Sequence, residues 1–174
     1  VTVLADPRAP FSAAARESNY QARLEVMGMQ EQAVTAVERI AHAQAGVATA
    51  LELIGQHQQP GAEPDENLKT LTESAKSVQK GLAELEQRFR TPPKTKGIVY
   101  DDDKVTSKVG LAGYYIGSTN DAPTATAAIY LEQARVSLDT ALESLERFMQ
   151  QELEPFRRSM SDAGIGLFAT SIGE

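Results

Sequence analysis

The sequence predicts an all-α protein, an elongated antiparallel bundle of three long helices and one short helix. Three observations carry that expectation. Leu68, Leu71, Ala75, Val78, Leu82, Leu85 and Phe89 recur at alternating steps of three and four, which puts all seven on one stripe of a helix, the seam a neighbouring helix packs against. Two longer periodic stretches flank it, one from about Ala13 to His57 and one from about Ala125 to Ala163. The composition agrees, because Ala, Leu, Glu and Gln, all strong helix formers, dominate the chain.

The opening Val1-Thr2-Val3-Leu4-Ala5 is β-rich and ends at Asp6-Pro7-Arg8. A lone strand has nothing to pair with, so residues 1–11 read as the remnant of an upstream β domain or a linker, and residues 12–174 as the helical bundle domain. The first residue is Val and no signal peptide is visible, so the chain reads as a processed or excised piece. Ser12 is the expected N-cap of the first helix. That helix's apolar stripe reads Tyr20, Leu24, Met27, Val34, Val37, Ile40, Val47, Leu51 and Ile54. Gly28 and Gly46 interrupt it at up to ~1 kcal/mol each, either to let a neighbour approach closely or as tolerated open positions.

Pro60-Gly61 marks the loop from Gln58 to Pro64. The second helix starts near Pro64 or Asp65, with acidic residues in its first turn that suit its dipole, and must stop before Pro92-Pro93. Lys94 to Asp102 is a polar crossover. Val105, Val109, Ala112 and Ile116 then indicate a short helix from about Asp103 to Ile116. Thr124 caps the third long helix, whose stripe runs Leu131, Ala134, Leu138, Leu142, Leu145, Met149, Leu153, Phe156 and Met160. Pro155 inside it should kink it or remove a backbone bond, and Gly164 and Gly166 end it. At 1.5 Å per residue the first helix is roughly 65 Å long and the second roughly 40 Å. The short helix and crossover make up the difference before the third returns.

A net charge of −7 would set a phosphate backbone or an anionic membrane against the chain, so nucleic acid is not an expected partner. No apolar run approaches the ~20 residues needed to span a bilayer, so membrane insertion is not expected either. With no cysteine, disulfides and thiolate metal sites are ruled out. Glu38 and His42 share a helix face, which suits either one weak metal site or a solvated histidine. His57 ends a helix, where a cation suits the dipole. Asp101-Asp102-Asp103 could attract Ca²⁺ but lacks the alternating spacing and Gly turn of an EF-hand loop; Asp103 alternatively caps the short helix. No Gly-x-Ser-x-Gly elbow is present. Gly110, Gly113 and Gly117 follow no phosphate-loop pattern and read as tight helix packing. No catalytic residue, metal ligand or cofactor site is therefore expected. The candidate site is an interface at Tyr114 and Tyr115, because two adjacent tyrosines on a helix cannot both face one core and an exposed Tyr favours contacts.

Several segments together resemble a family. Val3-Leu4-Ala5-Asp6-Pro7-Arg8, followed by a long helix with Tyr20 early in it, resembles the segment after the immunoglobulin-like strands of large bacterial β-propeller proteins. These are the sortilin-like proteins, often labelled glycosyl hydrolases for their sialidase-type repeats. Gly113-Tyr114-Tyr115 leading to Asp121-Ala122-Pro123-Thr124, a long helix, then Leu153-Glu154-Pro155-Phe156 and Ala163-Gly164 resembles the late part of their C-terminal helical region. The middle, Gln58 to Asp102, is similar in helical character only. The resemblance implies a secreted or periplasmic bacterial protein whose propeller, with any glycosidase chemistry, lies outside these residues. The aspartate-box pattern Ser-x-Asp-x-Gly-x-Thr-Trp is absent, as the lack of Trp requires. No catalytic residue carries over.

The expected function is thus a non-catalytic accessory or interaction module, packing against its own propeller or another protein. The rival is a periplasmic ligand-sensing bundle, motivated by Glu31 and Gln44 interrupting the seams. An enzyme ranks third, and self-association through the third helix is a further expectation.

Overall fold

The computed structural model describes residues 8, 10–57, 65–92 and 101–165, and among them it is all α. The expected N-terminal strand and the loop from Gln58 to Pro64 lie outside the described residues, as does most of the crossover. Helix α1 runs Ala13–His57, α2 Glu66–Phe89, α3 Val105–Gly117, α4 Ala125–Phe148 and α5 Glu154–Asp162. Ser12 and Thr124 cap their helices as expected, and Asp65 caps α2. Ser12 Oγ accepts from the Ala15 N–H at 3.0 Å, Asp65 Oδ1 from Asn67 at 2.9 Å and Thr124 Oγ1 from Ala127 at 3.1 Å, each satisfying an orphan donor of a first turn. Asp103 does not cap α3. Lys104 holds that position without a side-chain bond, and Asp101 organises the turn by accepting from the Asp103 N–H at 3.1 Å.

The chain divides into two compact units. The first takes residues up to Thr35 and Phe89–Thr140; the second takes Ala36–Arg88 and everything from Ala141. In the first, Ala22, Val26, Met29 and Ala33 of α1 are buried with Val109, Ala112 and Ile116 of α3 and Ala127, Ala134 and Leu138 of α4. In the second, Ile40, Ala43, Val47 and Ile54 of α1 are buried with Ala75, Val78 and Leu82 of α2, Leu145 of α4 and Phe156 and Met160 of α5. The α3 stripe read from the sequence is buried throughout and the α2 stripe from Leu71 onward; in α4–α5 Ala134, Leu138, Leu145, Leu153, Phe156 and Met160 are buried, whereas Leu131, Leu142 and Met149 are half-buried and the seam also takes Ala127 and Ala141.

The stripe expected for the first half of α1 is corrected. Tyr20, Leu24, Met27 and Val34 are 41–61% exposed, and the seam runs instead through Ala22, Val26, Met29, Ala33 and Ala36, three of them alanines. Small residues at a seam let helix backbones come close, which a stripe chosen by side-chain size overlooks. Gly28 and Gly46 face open space, so of the two readings the open position holds.

Pro155 does not end the last helix. Residues Met149–Leu153 form a π-helical turn in which the Glu154 N–H bonds the Met149 carbonyl, and Pro155 then stands in the first turn of α5, where its missing N–H costs nothing. A Schellman motif closes α5: the Ile165 N–H reaches the Met160 carbonyl at 3.0 Å, the Gly164 N–H reaches Ser161 at 2.9 Å, and Gly164 takes φ +71°. Gly166, the other expected stop, lies outside the described residues.

One glycine is required by packing. A Cβ on Gly81 would stand 2.7 Å from Cζ of the Phe148 ring. Gly81→Ala should therefore destabilise the protein by about 1–2 kcal/mol, despite a helix-propensity gain of about 1 kcal/mol. Gly28→Ala, made in open space, should stabilise by about 0.5–1 kcal/mol. Urea denaturation of both variants checks this; equal signs would mean that the Phe148 ring does not fill the space over Gly81.

Candidate interface

Of the two tyrosines singled out in the sequence, the structure leaves one half-buried and the other exposed. Tyr115 of α3 stacks on Tyr130 of α4, ring centroids 4.5 Å apart and planes 6° from parallel. A hydrogen bond to the Tyr130 hydroxyl, and then that neighbour's charge, push the Tyr115 phenol above its ordinary pKa. Tyr114 meets Tyr115 edge to face at 5.6 Å and 81°, and is itself 71% exposed. The outer ring thus meets a half-buried one at its edge and leaves its own faces open for a partner to cover.

Tyr114 is not alone. All eight large apolar side chains with high exposure among the described residues belong to the first unit: Tyr20, Leu24, Met27 and Val34 on α1, Leu111 and Tyr114 on α3, Ile129 and Val136 on α4. The sequence reading placed the α1 members in the core and passed over Ile129 and Val136. Beside Tyr20 lies a concavity of about 360 Å³ bounded by Phe11, Arg16, Arg23 and Asn120, which gives this surface relief and a basic edge. The frame beneath is tied polar group to polar group. Arg135 of α4 donates from Nε to Glu25 of α1 at 2.9 Å and also pairs with Glu132. The Asn19 amide donates to the Ile116 carbonyl at 3.0 Å and accepts from Arg23 Nε at 2.7 Å.

The other residues weighed in the sequence form no site of their own among the described residues. His42 and Glu38 are both exposed on α1, and no group of three metal-ligating side chains occurs among the described residues. Asp101 pairs with Lys104 at 2.9 Å, and Asp103 lies 3.6 Å from Lys108. The Lys104 hydrogen bond, then the Asp103 N–H, hold the Asp101 carboxyl below its ordinary pKa. His57 takes its helix-end role, with Nδ1 2.9 Å from the Leu53 carbonyl oxygen. Only Gly113 of the three α3 glycines is packed, a Cβ there standing 3.2 Å from Val26, while Gly110 and Gly117 face open space. Glu31 is exposed, and Gln44 donates at 3.1 Å to Glu86, a buried carboxylate that the sequence did not flag.

No described helix is long and apolar enough to cross a membrane. No protein-family model, curated protein or solved structure matches the chain.

Proposed function

We propose that this chain is a non-catalytic helical module whose first unit docks onto another protein domain. The observation that carries this reading is the segregation of the eight exposed large apolar side chains to that unit, with Tyr114 buttressed among them. The second unit, built from the same kinds of residues, exposes none among its described residues. On α1 four of them recur at helical spacing on one face; a contiguous apolar face of that kind marks a protein contact, and an aromatic is the usual centre of one. The resemblance at the two ends of the chain supplies the partner: the β-propeller of a larger secreted or periplasmic bacterial protein to which these helices belong.

The test is a photo-cross-linking residue placed at position 114 or 129, with exposed Gln56 of the second unit as control, read by immunoblot of fractionated source cells. Cross-links from 114 and 129 but not from 56 are expected. The parent species should run well above the 18.8 kDa of this chain, in the periplasmic or secreted fraction. Equal yields from all three positions, or a cytoplasmic species near 18.8 kDa, would overturn the reading. So would hydrolysis of aryl glycosides by the isolated chain.

A further inference from the structure

The second unit has its own feature, a partly open cavity of about 350 Å³, inside the range of ~300–1,000 Å³ in which small-molecule clefts fall. Three parts of the sequence make it. Ala43, Gly46 and Ala50 put small residues on successive turns of α1 to form its floor. Opposite them stand Phe156 and Met160 of α5 and Ile165, the last two held together by the Schellman motif, since Ile165 bonds the Met160 carbonyl. The π-helical turn at Met149–Leu153 precedes that wall and rotates the helix by one residue relative to a continuous α-helix.

The lining is apolar except at His42, Arg157 and Ser161, and it contains no Asp or Glu. Glu154 lines the adjoining smaller hollow and accepts from Arg157 Nη1 at 2.9 Å. A guanidinium has more donors than that one bond uses, and Ser161 and His42 add donor capacity at the same edge. We propose that this cavity binds the anion of a straight-chain carboxylic acid, its alkyl chain against Gly46, Phe156 and Met160 and its carboxylate at Arg157 and Ser161. A cationic amphiphile would meet the same walls but an unfavourable charge. Gly46 has a function in this arrangement that helix packing does not give it. A Cβ there would touch nothing within 4 Å, yet a larger side chain would project into the ligand's space. The proposal concerns the second unit alone and does not depend on the docking surface of the first.

The experiment is calorimetric titration of the full chain with sodium decanoate below its micelle-forming concentration, beside decylammonium chloride. Saturable one-to-one binding of decanoate is expected, with decylammonium at least about tenfold weaker. Gly46→Leu, which also improves helix propensity, should abolish decanoate binding. Arg157→Gln, at an exposed position, should weaken it about tenfold and narrow the gap between the two amphiphiles. Absence of saturable binding, equal affinity for decylammonium, or unchanged binding by Gly46→Leu would each overturn the proposal. Sedimentation showing that decanoate splits a dimer would assign the cavity to a second copy and overturn it as well.

Discussion

Phe89→Ala is expected to cost about 3–5 kcal/mol, the usual range for deleting a fully buried aromatic ring. Phe89 is 0% exposed and is the last residue of α2. Its carbonyl, left without an intrahelical partner at the helix end, accepts from Thr106 Oγ1 of α3 at 2.9 Å. Pro92 follows three residues later, so the chain cannot extend the helix to bring another apolar residue into the hole. Against a total stability of about 5–15 kcal/mol, this one truncation removes a large share. Leu68→Ala, at the half-buried opposite end of the same seam, should cost only about 1 kcal/mol. Thr106→Val separates the bond from the ring and should cost about 1 kcal/mol. Urea unfolding monitored by circular dichroism reads all three, and a Phe89→Ala loss below that of Leu68→Ala would place the ring outside the core.

Where local chemistry and packing agree, the sequence is readable. The α2 seam keeps an unbroken three–four spacing, and Ser12 and Thr124 cap as their hydroxyl oxygens predict. In α1 two criteria conflict. The largest apolar residues mark one face, and burial uses another, which includes Ala22, Ala33 and Ala36. A single sequence does not say which a neighbour will choose, because that depends on the residues the neighbour presents. Pro155 illustrates a different limit. The proline forbids one backbone bond, but whether the helix breaks, kinks or inserts a π turn is decided by whether Leu153 and Phe156 must both stay buried, as they do. For the candidate interface, Tyr114 was legible because adjacency forces one ring outward, whereas Ile129 and Val136 became visible only once α4 had chosen its seam. The alkyl-lined cavity draws on residues as far apart in the chain as His42 and Ile165, and no local pattern connects them.

Asn19→Ala is the second large effect, expected at about 2–4 kcal/mol, the loss of a charge-assisted bond plus an unsatisfied buried carbonyl. Asn19 is only 3% exposed, and its amide is the partner of Ile116, itself 1% exposed at the C-terminal end of α3. That helix has no basic residue in its last turn, and Ser118, not glycine, follows it in right-handed conformation, so its final carbonyls depend on help from elsewhere. α1 provides it. Asn19 accepts from Arg23 Nε at 2.7 Å, and Arg23 Nη2 donates to the Thr119 carbonyl at 2.9 Å and to Asn120 Oδ1 at 3.3 Å. The guanidinium also sets a positive charge at the negative end of the α3 dipole. A double-mutant cycle with Arg23→Ala should show coupling above about 0.5 kcal/mol; additive losses would mean that the two side chains act separately. The same pair bounds the concavity beside Tyr20, and α3 carries Tyr114. Losing it should therefore speed amide exchange at the C-terminal end of α3 and lower cross-linking from position 114 while leaving decanoate binding intact. If stability falls but the cross-link yield holds, Tyr114 does not need a fixed α3 to reach its partner, and the case for a preorganised contact fails.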